Sequence, residues 1–351
     1  MTARQQLNYT LKLIVSHLLF YCGLLQLWQK IGMRRKAVVL MYHRVLTDDE
    51  LQRTASHPAL VVGRDSFESQ MAVLKSRFKV LSLEEFATRI KERTPFSDSS
   101  CLITFDDGWR DNLTNALPIL RRYGLPALIF LPVNYIGQHR MFWQEGLTHA
   151  LLNVVMETRR DPAQLSRFND FLSPFGLQSV LQLTARDPRP GVIAAVGRQK
   201  QLPRAKVQEL VASLAAALGV QESDWTGPDG FITWQQAESM SKQDISFGSH
   251  GVEHLLLTQI TNDEAEAEIR ISKDVLDQKL RASVPTFSYP NGYLTDAHVN
   301  QVAAAGYQLA FITRRGLVSC TDPPFTIRRL NIHESATSTT PMFMARLVGL
   351  W

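Results

Sequence analysis

Two adjacent acids are the residues of this chain best placed to do chemistry. They are Asp106 and Asp107 in the run Leu102-Ile103-Thr104-Phe105-Asp106-Asp107-Gly108. An apolar strand ending in a loop is where side chains are most often put to work. Two carboxylates there repel each other, so the pair calls for a cation or a shared proton. Far downstream, Ser249-His250-Gly251-Val252-Glu253-His254 carries two imidazoles four residues apart. If that segment is helical, both rings lie on one face, about 5–6 Å apart at Cβ. Two histidines and one aspartate make a three-ligand divalent site with an open position, the form catalytic zinc prefers. The second aspartate is then free to act as a base.

These groups need elements to hold them. Apolar, β-branched runs recur with helical stretches between them, which indicates an α/β fold. The expected strands are 37–42, 101–105, 127–131, 245–248, 286–289, 309–313 and 325–330. Ser66–Phe78 reads as a helix, with Phe67, Met71, Leu74 and Phe78 at helical spacing. Thr261-Asn262-Asp263-Glu264 is a capping box that opens a helix toward Leu280. Asp296–Gly306 is another helix, with Gly306 just past its end. Seven strands alternating with helices favour a distorted or incomplete (β/α)7 barrel, whose strand ends converge on one face. Residues from about 140 to 228 break the rhythm. They are helical in pattern and read as an insertion, either a lid or groove wall or a packing subdomain with no part in binding.

The composition is that of an ordinary globular protein, 45% apolar and 20% charged over 351 residues. The net charge of +5 is mild, and no basic stripe with interleaved aromatics argues for nucleic acid. Cys22, Cys101 and Cys320 are odd in number and far apart, so no disulfide framework is expected. A reducing compartment fits. There is no Walker or dinucleotide loop and no Gly-x-Ser-x-Gly. Residues 1–36 form an N-terminal segment whose apolar stretch, 11–31, is short for a span and is followed by Arg34, Arg35 and Lys36. It reads as an amphipathic helix on a membrane or on its own domain. The rest, 37–351, is then one domain, expected in the cytoplasm either free or attached to the cytoplasmic face of the inner membrane.

Thr104-Phe105-Asp106-Asp107-Gly108 and His250-x-x-x-His254, followed by Phe287-Ser288-Tyr289-Pro290-Asn291-Gly292, resemble three ordered motifs of the polysaccharide deacetylases. These are the NodB-homology proteins, carbohydrate esterase family 4, here in an exopolysaccharide branch similar to the poly-N-acetylglucosamine deacetylases. The resemblance implies a NodB-type barrel that removes N-acetyl groups from an amino sugar in a bacterial polysaccharide or lipid-linked precursor. It implies that Asp107, His250 and His254 hold a divalent metal, zinc first, with Co2+, Ni2+ or Mn2+ also suited to His and carboxylate donors. Asp106 would be the general base. Tyr289, Pro290 and Asn291 would border the substrate, and a backbone N–H near Asn291 would face the oxyanion. Apart from the resemblance, Trp234 is an aromatic that either stacks on a sugar ring or packs in the core.

The general acid is left with two candidates. Leu330-Asn331-Ile332-His333 is one residue longer than the family's Leu-x-His motif. His43 ends the first strand, where the branch carries a permuted last strand, and is the preferred choice over His333. Three departures stand out. Gly251 replaces a Ser or Thr, Ser288 replaces an arginine that orients the base, and the family's fourth motif is not recognisable. Arg328 or Arg329 could supply the missing guanidinium. The rival readings are a small-amide amidohydrolase of the same fold and a non-catalytic carbohydrate-binding or assembly protein.

Overall fold

The computed structural model describes residues 3–199, 204–221 and 229–351. The chain divides into two units, one of residues 1–51, 58–138 and 231–351, the other of 52–57 and 139–230. Among the described residues the first unit holds ten strands: β1 (Ala37–Tyr42), β2 (Arg44–Leu46), β3 (Val61–Gly63), β4 (Lys79–Val80), β5 (Ser100–Phe105), β6 (Ala127–Leu131), β7 (Ile245–Ser249), β8 (Thr286–Ser288), β9 (Leu309–Phe311) and β10 (Leu330–Asn331). β2 and β3 pair with each other. The other eight form one parallel sheet in the order β10-β1-β5-β6-β7-β8-β9, with β4 beside the start of β5.

Every residue of β1, β5 and β6 is buried. That follows from their unbroken apolar sequences, which suit a parallel sheet covered on both faces. The sheet curls. Val39 of β1, Leu102 of β5, Phe130 of β6 and Phe311 of β9 meet in one core cluster although β1 and β9 are far apart in strand order. The run 327–331 bridges the gap. Ile327 pairs with Phe311 of β9, and Leu330 and Asn331 pair with Leu40 and Met41 of β1. The first and last strands are therefore neighbours, in an incomplete barrel.

The strand expected over 325–330 is the one that departs most. Only Leu330–Asn331 is regular, with a single bridge at Ile327. This run crosses from one sheet edge to the other, so it cannot keep one partner throughout its length. The helices Arg64–Arg77, Asn262–Leu280 and Asp296–Ala304 stand close to their expected bounds. The second opens on the Thr261/Glu264 capping box, and the third is followed by Gly306 at φ +84°. All three cysteines are free.

The second unit has a core of its own, built around Leu147, Leu151, Val154, Phe168, Leu210 and Leu214. A buried acid ties the short 52–57 stretch into it. Asp229 accepts from Thr54 Oγ1 (2.6 Å) and from the Ala55 N–H (2.8 Å), and lies 2.9 Å from His149 Nε2. The unit takes up 139–230, whereas the sequence suggested an insertion of about 140–228. Residues 222–228, at the end of that stretch, lie outside the described residues.

Candidate active site

The site stands at the C-terminal ends of the parallel strands. His43 follows β1, Asp106 and Asp107 follow β5, and His250 follows β7. Asp107 has φ +77° and Gly108 φ +68°. The chain thus turns sharply through a left-handed pair, which is costly for an aspartate and typical of a residue held for function. A Cβ on Gly108 would meet Leu131 Cδ2 at 2.5 Å, so only glycine fits there.

The segment from His250 to His254 is a loop, not the helix its spacing suggested. Gly251 at φ +81° and His254 at φ +54° break helical geometry. The loop is fastened instead by a buried carboxylate. Glu268 Oε2 accepts from the N–H groups of Val252 (2.9 Å) and Glu253 (3.0 Å). A Cβ on Gly251 would stand 2.8 Å from that oxygen, and its φ of +81° also favours glycine. The loop still brings the two imidazoles together, with ring centroids 4.7 Å apart.

Asp107, His250 and His254 converge. His250 Nε2 and His254 Nε2 each lie 3.6 Å from Asp107 Oδ1. Donors about 2.0–2.2 Å from a tetrahedral ion are about 3.3–3.6 Å apart, so the spacing suits a single divalent ion. The chemistry of the donors agrees. His250 Nδ1 lies 2.7 Å from the Ser288 carbonyl, which can only accept, so Nδ1 carries the proton and Nε2 presents a lone pair. Burial pushes the His250 pKa down to about 4, so the ring is neutral at ordinary pH. Asp107 Oδ1 is buried without a hydrogen-bond partner, while Oδ2 accepts from the Trp109 indole at 3.0 Å.

Asp106 has a different environment. Arg329, fully buried, grips it with two bonds, Nη1 to Oδ1 at 2.6 Å and Nη2 to Oδ2 at 2.7 Å. Nη2 also donates to Ser288 Oγ at 2.8 Å. Burial alone would raise the Asp106 pKa. The Arg329 charge, aided by His250 and His43, reverses this and holds the carboxyl below the usual carboxylate range. Asp107, without such a clamp, is raised by burial. The two neighbours are thereby made unlike. His43 Nε2 lies 3.9 Å from Asp106 Oδ2, and His250 Nε2 lies 3.8 Å from it.

The structure separates several residues that the sequence grouped. Arg328 is turned away and pairs with Asp322 at 2.6 Å, leaving Arg329 as the guanidinium beside Asp106. Tyr289 is fully buried, its ring packed in the core against Phe287. Pro290 is buried as well. Asn291 is exposed at φ +56°, its carbonyl accepting from Thr313 Oγ1. His333 caps the helix Glu334–Thr337 and shares a hydrogen bond with Ser335. Trp234 is half-buried in the first turn of the helix Trp234–Ser241.

Trp109 and Glu268 carry roles the sequence did not single out. Trp109 is fully buried, stacked on Phe231 at 4.6 Å and covered by the Arg44 guanidinium at 4.3 Å. Arg44 in turn donates to Asp111 at 2.9 Å. A tryptophan two residues after the acid pair was the one available signal.

The chain is similar to known proteins in sequence and in fold. The profile of the family described as Polysaccharide deacetylase matches residues 93–170 and 199–310. YxkH of Bacillus subtilis (strain 168) is 21% identical over 306 residues, 87% of this chain and 74% of that protein. The poly-beta-1,6-N-acetyl-D-glucosamine N-deacetylase of Staphylococcus epidermidis is 33% identical over 133 residues, 36% of this chain and 46% of that one. The match thus spans less than half of that relative. Among solved structures, Streptococcus pyogenes deacetylase PplD superposes with a TM-score of 0.56 at 19% identity, covering 89% of this chain and 98% of its own. IcaB from Ammonifex degensii gives 0.55 at 16%, covering 90% and 97%. At these identities the likeness is one of fold.

Proposed function

Because this chain belongs to the polysaccharide deacetylase family, we propose that it is a metal-dependent N-deacetylase of an N-acetylglucosamine-containing bacterial polysaccharide or its lipid-linked precursor. The observation that carries the reading is the convergence of Asp107, His250 and His254 beside an arginine-clamped Asp106. The 33% identity to the staphylococcal enzyme supports the sugar class. Asp107, His250 and His254 would hold the ion, with zinc first by donor type. When bound, the ion acts as a Lewis acid toward water and the amide carbonyl.

The chain's own residues do the rest. Asp106 stays ionised and is fixed in orientation by Arg329, so it can accept the proton of the attacking water. His43, 3.9 Å from Asp106, would deliver a proton to the leaving amine. Its distance to Asp106 and its place just after β1, the strand that pairs with β10, favour it over His333. Asn291 and Trp234 remain the proposed sugar contacts.

The test of this assignment is turnover of N-acetylglucosamine oligomers by single variants. His43→Ala is expected to lower kcat by about 10²–10⁴-fold, the usual worth of one positioned acid, while the ion is retained. His333→Ala should stay within a few-fold of the unaltered enzyme. The opposite pattern would exchange the two roles.

Trp109 gives a second expectation. Trp109→Phe keeps a ring for Phe231 and Arg44 but removes the donor to Asp107 Oδ2. Loss of a partner behind a metal ligand typically weakens binding by about 10–100-fold. Competition against a coloured chelator should show that loss with the fold intact. Unchanged affinity would mean Asp107 is oriented by its backbone alone.

A further inference from the structure

The N-terminal helices carry an apolar surface that the deacetylase site does not use. α1 (Ala3–Tyr21) and α2 (Leu24–Gly32) meet at an angle of 81°. No single described helix is long and apolar enough to cross a membrane. One face of the pair is fixed to the domain. Tyr9 bonds Ser338 at 2.9 Å, Gln29 donates to the Arg77 carbonyl at 3.1 Å and to Ser99 at 3.0 Å, and Ser16, Leu25 and Met33 are buried. The opposite face is apolar and open. Leu7, Leu11, Ile14 and Leu18, spaced 4-3-4 along α1, are between 52% and 70% exposed. Trp28 and Ile31 continue the surface on α2 at 41% and 66%. Single exposed leucines are ordinary, but a contiguous stripe on two successive helices marks a docking face.

Charge identifies what docks there. Residues 1–36 contain six Lys and Arg and no Asp or Glu. The remaining residues carry 32 basic and 33 acidic side chains, so the whole positive excess of the chain sits in this segment. Lys30, Arg34, Arg35 and Lys36 are exposed at the end of α2 and just beyond it. An apolar helix face flanked by cations is the pattern that binds an anionic lipid surface, with indole at the interface. A second copy of the chain fits less well. It would set six cations of one protomer against six of the other, and the bend ends any straight seam after α1.

We propose that α1 and α2 lie in the surface of an anionic bilayer, Leu11, Leu18 and Ile31 entering the apolar layer and Lys30, Arg34, Arg35 and Lys36 meeting lipid phosphates. The proposal is independent of the catalytic reading. The test is flotation of the full chain with vesicles of phosphatidylcholine alone or mixed with phosphatidylglycerol. The chain should float with the mixed vesicles and far less with the neutral ones. Leu11→Glu with Leu18→Glu should cut flotation at least tenfold, and Lys30, Arg34, Arg35 and Lys36 all changed to Gln should reduce it to the neutral-vesicle level. These positions touch no catalytic group, so thermal unfolding and turnover of soluble oligomers should be unchanged. Absence of flotation by the unaltered chain, or flotation that both sets of variants retain, would overturn the proposal. So would a dimer that the two glutamates dissolve in the absence of lipid binding.

Discussion

Asp106→Asn is expected to lower kcat on N-acetylglucosamine oligomers by about 10²–10⁴-fold while leaving metal content and fold in place. The amide matches the carboxylate in shape and can still accept from Arg329 through its oxygen. It cannot take up a proton at neutral pH. The effect therefore falls on kcat, and KM should move little. An Asp107→Asn variant should differ in kind. It weakens a donor to the ion, so its loss of activity should be partly recovered by added metal, whereas no metal concentration should rescue Asp106→Asn. Equal rescue of both would mean that the two neighbours share one role.

The second large effect is expected at Arg329. Its guanidinium is wholly buried and bonded to both oxygens of Asp106. Arg329→Met keeps much of the apolar stem but leaves a buried carboxylate without its partner. Breaking a buried pair from one side typically costs about 3–5 kcal/mol, because the surviving charge stays desolvated. The sign of the pH effect follows from the same contact. Burial raises the Asp106 pKa and Arg329 is the largest influence lowering it. Without Arg329 the carboxyl protonates at higher pH. The acid limb of the rate profile should then shift upward, with activity lost at pH values where the unaltered enzyme still works. Thermal unfolding and the pH dependence of kcat/KM read the two effects separately. An unshifted acid limb would show that Asp106 ionisation is not what the arginine controls.

Much of the barrel was legible because its strands are buried on both faces and so read as unbroken apolar runs. β1 and β6 have the bounds the sequence suggested, and β5 gains only Ser100. The acid pair was legible because an apolar run ends on it. What was lost depended on direction rather than composition. Arg328 and Arg329 are adjacent, and neighbours in extended backbone face opposite ways. Sequence leaves either one available, and the fold sends Arg329 inward and Arg328 to Asp322. The same alternation sends Ser288 toward Arg329 and Tyr289 into the core with Phe287. The His-x-x-x-His spacing misled for a different reason. Four-residue spacing is helical only when the backbone is, and Gly251 and His254 are both left-handed. Glu268, which holds that loop, lies in a helix well beyond the second histidine, and nothing local to the motif points to it.

The most direct measurement is metal content of the purified chain, paired with activity before and after chelation. Asp107, His250 and His254 sharing one ion predicts one equivalent of divalent metal per chain and none in His250→Ala. It also predicts that deacetylation of N-acetylglucosamine oligomers stops on chelation and returns when the ion is restored. Turnover that survives complete removal of the metal, or a full equivalent of ion retained by His250→Ala, would contradict it.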